Sequence, residues 1–154
     1  AEIDPSKLGN YGFSKWLCEQ IARKYCKNWL ILRLGGMIGE GLRKNAIFDL
    51  LTKRSLYVHP KSEYQYMNTK DVARIVYLLR DRNNEIFNVC GDGTITLEKA
   101  AKDINVNLTR DLYKLRREKY NININKLKSL IAVKKTKNTA RNFMLAYGGR
   151  DEAN

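Results

Sequence analysis

Trp29-Leu30-Ile31-Leu32-Arg33-Leu34 is a near-continuous apolar run closed by Gly35-Gly36. A run of that length and flanking reads as a strand buried on both faces, the kind found in a parallel sheet sandwiched between helices. Its neighbours agree. Upstream, Leu17, Cys18, Ile21, Ala22 and Tyr25 recur at three- and four-residue intervals, which predicts an amphipathic helix over residues 11–26. Downstream, helices are expected at 45–54, 70–82, 97–104, 125–131 and 136–147, with Thr69 and Thr96 as N-caps and Gly148-Gly149 ending the last. Short strands are expected at 55–58 and 64–68, and a buried one at 86–89 ahead of the Gly91-Asp92-Gly93 turn. Helices alternating with apolar strands predict an α/β fold, a partial doubly wound parallel sheet with a small lobe beside it. A doubly wound nucleotide-binding sheet normally opens on a strand and a glycine-rich turn, whereas this chain opens on a polar loop entering a helix.

The 154 residues, 44% of them hydrophobic, suffice for one compact domain with a real core, which excludes collagenous, low-complexity and disordered chains. No apolar stretch nears the roughly 18 to 20 residues of a membrane span, and the first residues lack a signal-peptide pattern, so no membrane partner is expected. Cys18, Cys26 and Cys90 follow no metal-binding spacing and read as reduced thiols, in keeping with a cytoplasmic setting. Cys18 is expected in the core. The single histidine, His59, supports neither a histidine-based metal site nor a Ser-His-Asp relay, and no metal is expected.

Charge is lopsided. Residues 1–108 carry 17 basic and 12 acidic groups, net +5, and residues 109–154 carry 12 and 4, net +8, which together give +13. A field of that sign attracts polyanions such as nucleotides and phosphorylated sugars without naming which. Tyr113, Tyr120 and Tyr147 interleave with the basic residues of the tail, but no nucleic-acid recognition motif accompanies them.

The pattern nearest to chemistry is Tyr11-Gly12-Phe13-Ser14-Lys15, with Glu19 four residues on. That spacing stacks Tyr11 and Lys15 one turn apart on one helix face. Tyrosine is a poor acid–base group near neutrality, with an ordinary pKa of about 10, and a neighbouring ammonium favours its phenolate. Spacing alone better suits a packed tyrosine beside a solvated lysine, since the two residues often fall four apart by chance. Glu19 is expected to pair with Arg23, again one turn on.

Read in order with three more segments, the motif resembles the extended short-chain dehydrogenase/reductase family, the NAD-dependent epimerases and dehydratases. Ile31 through Gly39 is similar to the family's next strand and its glycine-marked loop. Tyr66-Met67-Asn68-Thr69-Lys70-Asp71-Val72-Ala73 resembles the segment leading into a helix that begins Asp-Val-Ala. Ile86-Phe87-Asn88-Val89-Cys90-Gly91 resembles the late strand. The resemblance spans about residues 2–104 and implies the C-terminal portion of such an enzyme, with Tyr11 as general acid/base and Lys15 promoting its ionisation while holding the nicotinamide ribose. Gly35 would lie against the nicotinamide of NAD or NADP. Substrate, commonly a nucleotide-linked sugar in this family, would sit nearer Gly36, Arg43 and Lys44. Residues 1–108 would belong to the NAD(P)-binding domain with its substrate lobe, and 109–154 would be a basic helical extension of it.

No Gly-x-Gly-x-x-Gly turn and no P-loop occurs, and Gly36 stands where many sugar-nucleotide epimerases carry asparagine. The adenosine-binding half and its catalytic serine or threonine would lie outside this sequence. Weak or absent dinucleotide binding is therefore expected of the chain alone, since pyrophosphate normally rests on a helix N-terminus belonging to that half. Two other readings stay open. One is a non-catalytic remnant or assembly module that forms a homodimer through the helix at 11–26, and the other is a basic nucleic-acid-binding protein.

Overall fold

The computed structural model describes residues 3–148. In chain order the elements are α1 (Asn10–Tyr25), β1 (Leu30–Leu34), β2 (Gly36–Ile38), α2 (Ala46–Leu51), β3 (Glu63–Tyr64), β4 (Tyr66–Asn68), α3 (Thr69–Leu79), β5 (Glu85–Val89), β6 (Ile95–Thr96), α4 (Leu97–Asp103), α5 (Asn125–Lys128) and α6 (Thr136–Gly148). The fold is α/β. The apolar run at 30–34 forms β1 and pairs in parallel with β5, from Leu30 opposite Glu85 to Leu34 opposite Val89. β2 runs parallel to β4, and β3 pairs antiparallel with β6.

Alternation along β1 and β5 decides which helix covers which face. Leu30, Leu32, Phe87 and Val89 point one way and pack with Val72, Ile75 and Leu79 of α3 and with Leu127 of α5. The second core gathers Ile38, Ile47, Leu50, Tyr66, Leu97, Ala140 and Met144 from β2, α2, β4, α4 and α6, and so builds the lobe beside the sheet. Each such apolar side chain, fully withdrawn from water, contributes about 1.5 to 3 kcal/mol before ordering costs.

The other face of β1 is tied to α1 by an ion pair. Arg33 donates from Nε to Glu19 Oε1 at 2.8 Å and from Nη2 to Oε2 at 2.6 Å. Bidentate guanidinium–carboxylate pairs are the strong, direction-setting kind, and Glu19 holds the Arg33 guanidinium further above its already high range. α1 itself buries none of its residues, and its stripe Phe13, Leu17, Ile21 and Tyr25 stays exposed. Glu19→Gln is expected to weaken the docking of α1 by about 2 kcal/mol, below the cost of breaking a fully buried pair because both side chains keep some exposure. Hydrogen exchange reads this as faster opening of α1 amides with β5 amides unchanged.

Several expectations need correction. Glu19 pairs with Arg33 instead of Arg23, whose guanidinium lies over the Trp29 ring at 5.7 Å. Cys18 is exposed, because α1 turns that side to solvent. Residues 55–58 form no strand, since nothing among the described residues pairs with them. The strand expected at 64–68 is split at Gln65, whose side chain turns inward. Its Nε2 donates to the Gly91 and Ile122 carbonyls, and its Oε1 accepts from the Ile122 amide at 2.6 Å. The cap of α3 is Asn68, accepting from the Lys70 amide, and Thr69 becomes its first residue. Thr96 caps α4 as expected, accepting from the Lys99 amide. Gly149, expected to help end the last helix, lies outside the described residues, as do residues 150–154 of the basic tail.

Candidate functional site

Tyr11 stands in the first turn of α1, where the helix has emerged from the Pro5-containing turn and Gly12 packs on Leu8. Its ring is 77% exposed, and the Lys15 ammonium sits over that ring, 5.4 Å from its centroid. The four-residue spacing therefore does in space what it implies in sequence: cation and aromatic ring are adjacent and both reach solvent. Neither is sequestered in a core.

Gly35 follows β1 and donates its amide to the Val89 carbonyl at 2.9 Å. A Cβ built there would come within 2.5 Å of the Cys90 Cβ, so the glycine is required by the closeness of the β1 and β5 ends. Cys90 is buried, and burial together with Asp92 pushes its thiol up to about 11, so it stays protonated and unreactive.

Gly36 is equally constrained. Its Cβ would stand 2.6 Å from the Gln65 carbonyl oxygen and 2.9 Å from the Tyr66 ring. Tyr66 thus occupies the space a side chain at 36 would need, which accounts for glycine where asparagine was the family expectation. Tyr66 is buried, and that burial raises its phenol well above the ordinary range. Beside it, Tyr64 donates to Glu118 at 2.8 Å and stacks on Tyr120, and burial plus that carboxylate push it up to about 12. These phenols are donors locked in place; they are not poised to exchange protons.

Gly36 and Lys44 border one cavity of about 400 Å3, whose wall also takes in Met37, the Gly39–Leu42 loop with Glu40, Asn45, Tyr66 and Thr69. Arg43 is exposed and stands outside that wall, so Lys44 and Arg43 are not brought together by it. Tyr11 and Lys15 also stand outside it. A second, larger cavity lies between the Gly39–Leu42 loop, the start of α3 and α6, and holds Lys70, Lys134 and Lys135. Sequence reasoning missed this group, because Lys70 stands more than sixty residues from Lys134 and Lys135 and no local pattern links them. Gln65 and Tyr66 were missed as well. Among the described residues no group of three or more His, Cys, Asp or Glu side chains could hold a metal ion, and no helix is long and apolar enough to cross a membrane.

No protein-family model and no curated protein matches the sequence. Solved structures do match in fold. A dTDP-glucose 4,6-dehydratase from Bacillus anthracis in complex with NAD superposes with a TM-score of 0.74 at 16% identity, over 94% of this chain and 54% of that one. A UDP-N-acetylglucosamine 4-epimerase from Bacillus cereus gives 0.64 at 19% identity, over 90% and 54%. A UDP-glucose 4-epimerase from Thermotoga maritima, with UDP-glucose, gives 0.62 at 17% identity, over 94% and 52%. At these identities the likeness fixes the fold, and the chain spans about half the length of the structures it matches.

Proposed function

We propose that the chain is the substrate-side, C-terminal portion of an NAD(P)-dependent epimerase, dehydratase or reductase acting on a nucleotide-linked sugar or a similar hydroxyl or carbonyl compound. The observation that carries this is the exposed Tyr11 ring with the Lys15 ammonium set over it, on a fold shared with solved structures of a dehydratase and an epimerase. Tyr11 exchanges a proton with the substrate oxygen, and the fixed charge of Lys15 favours the phenolate that this requires. Exposure of both groups suits a surface covered by further polypeptide and ligand during turnover.

The residues present fit the nicotinamide end of a dinucleotide only. Lys15 is free to hold a ribose hydroxyl, and Gly35 is assigned to the nicotinamide by the resemblance of its segment, while no glycine-rich turn here suits a pyrophosphate. When bound, NAD(P) supplies the hydride acceptor or donor. The rest falls to this chain: Tyr11 moves the proton, and the Gly36–Lys44 cavity orients the substrate, with Lys44 as the cation available to a phosphate.

A second reading, an assembly module, is favoured by the exposed Phe13-Leu17-Ile21-Tyr25 stripe, which is the kind of face that a second copy of α1 covers in a homodimer. In that case size-exclusion reports an oligomer and the chemistry at Tyr11 is idle. The deciding experiment incubates the protein, as its host makes it, with NAD and each of UDP-glucose, UDP-N-acetylglucosamine and dTDP-glucose, and follows the sugar resonances by NMR. Epimerisation or dehydration of one of them supports the enzyme reading. Three inert sugars with an intact oligomer favour the module.

A further inference from the structure

The cavity between α6, the Gly39–Leu42 loop and the start of α3 encloses about 460 Å3, within the 300 to 1,000 Å3 typical of small-molecule sites. Lys70, Lys134 and Lys135 line it, along with the carboxamides of Asn138 and Asn142, and Glu40 is the one carboxylate in its wall. The charges just behind the wall leave an excess of cation. Lys134 pairs with Asp71 at 2.9 Å. Lys135 and Lys128, however, share the single carboxylate of Asp92, at 2.5 and 3.1 Å. Lys70 forms no ion pair among the described residues, and its side chain is free to swing over the opening.

With Lys134 held by Asp71, the charge left over comes from Lys70 and from Lys135 and Lys128 sharing Asp92, and an anion with several oxygen acceptors answers it. Phosphate meets that description. The volume exceeds what one phosphate fills, and the two carboxamides offer both donors and acceptors to hydroxyl groups. We propose that this cavity is a binding site for a small phosphate monoester with a hydroxylated body.

The site is separate from the one proposed for catalysis. Tyr11 and Lys15 do not border it, and α3 packs on the sheet face opposite α1. Its only common wall with the Gly36 cavity is the Gly39–Leu42 loop, held close to α3 because a Cβ at Gly39 would meet Thr69 Oγ1 at 2.1 Å.

The test is calorimetric titration of the 154-residue chain with glucose 6-phosphate, with glucose and with inorganic phosphate. Glucose 6-phosphate is expected to bind saturably at one site and glucose not at all, with inorganic phosphate competing but weaker. Lys70→Ala and Lys135→Ala should each weaken the ester about tenfold, the worth of a charge-assisted hydrogen bond. Lys102→Ala, on another surface, should leave affinity unchanged. Both cavity lysines are exposed, so circular dichroism should show all three variants folded. No saturable binding overturns the proposal, as does an equal loss in the Lys102 variant, which would mean diffuse attraction to a cationic surface. Inorganic phosphate binding as tightly as the ester would also overturn it, because the hydroxylated body would then contribute nothing.

Discussion

Gly91→Ala is expected to cost about 4 kcal/mol or more of folding stability, a large part of what a domain of this size possesses. The reason is contact with main chain. A Cβ at position 91 would stand 2.1 Å from the Tyr66 carbonyl oxygen and 2.5 Å from Thr136 Oγ1. Backbone oxygen cannot rotate aside as a flexible side chain does, so β4 and the start of α6 must back away from the end of β5. That retreat would loosen several bonds at once. Gln65 Nε2 donates to the Gly91 carbonyl, the Tyr66 amide donates to Thr136 Oγ1, and the Asp92 backbone exchanges hydrogen bonds with Lys134 and Thr136. All of these join the sheet to the lobe. Urea unfolding followed by circular dichroism measures the loss, and Gly9→Ala is the control, since nothing lies within 4 Å of a Cβ there. A Gly91 variant within about 1 kcal/mol of the parent would mean that the sheet and the lobe are not packed as described.

That junction also marks where the sequence stops being readable. β1 was legible as a strand from its apolar run closed by glycines, but the burial expected on both faces is not met, since Leu30 to Arg33 are half-buried and Leu34 is exposed. The Tyr11–Lys15 pair was legible because one helical turn is a local distance. α1 was located within one residue of each end from its three- and four-residue spacing, yet the stripe that defined it is exposed. Periodicity tells which face a helix is able to bury, while burial depends on a partner elsewhere in space. The same holds for Glu19. Its local partner Arg23 was available, but Arg33, fourteen residues away, offers a guanidinium in a drier place with both oxygens met.

Where the deciding atoms belong to distant segments, local pattern had nothing to report. Residues 55–58 carry strand-forming side chains and find no strand to pair with. Gln65 looks like an ordinary polar residue between two tyrosines, but it interrupts the strand to satisfy Gly91 and Ile122, respectively 26 and 57 residues away. Gly36 reads as a departure from a family pattern until the Tyr66 ring is seen in the vacant space. The cationic cavity shares this character, being assembled from Lys70 at one helix start and Lys134 and Lys135 ahead of another.

Tyr11→Phe is expected to reduce NAD-dependent turnover by about 100- to 10,000-fold, the usual contribution of a positioned acid–base group, while folding stability stays within about 0.5 kcal/mol of the parent. The two halves of that expectation have different physical origins. The phenol ring is mostly in water and the hydroxyl has no described hydrogen-bond partner in the protein, so removing one oxygen leaves no buried group unsatisfied. The proton transfer, by contrast, is lost with that oxygen. Tyr64, Tyr66 and Cys90 are held protonated by burial, so none of these three takes over. Lys15→Met separates the lysine's two proposed duties. Loss of the electrostatic help to the phenolate lowers kcat, and loss of a ribose contact raises KM for the dinucleotide, so both constants should move where Tyr11→Phe moves mainly kcat. Initial rates measured at several NAD concentrations, in the protein as its host makes it, give the two constants for each variant. If Tyr11→Phe turns over at the parental rate, the phenol is not the acid–base group. The exposed face of α1 would then be explained by the helix partner it awaits.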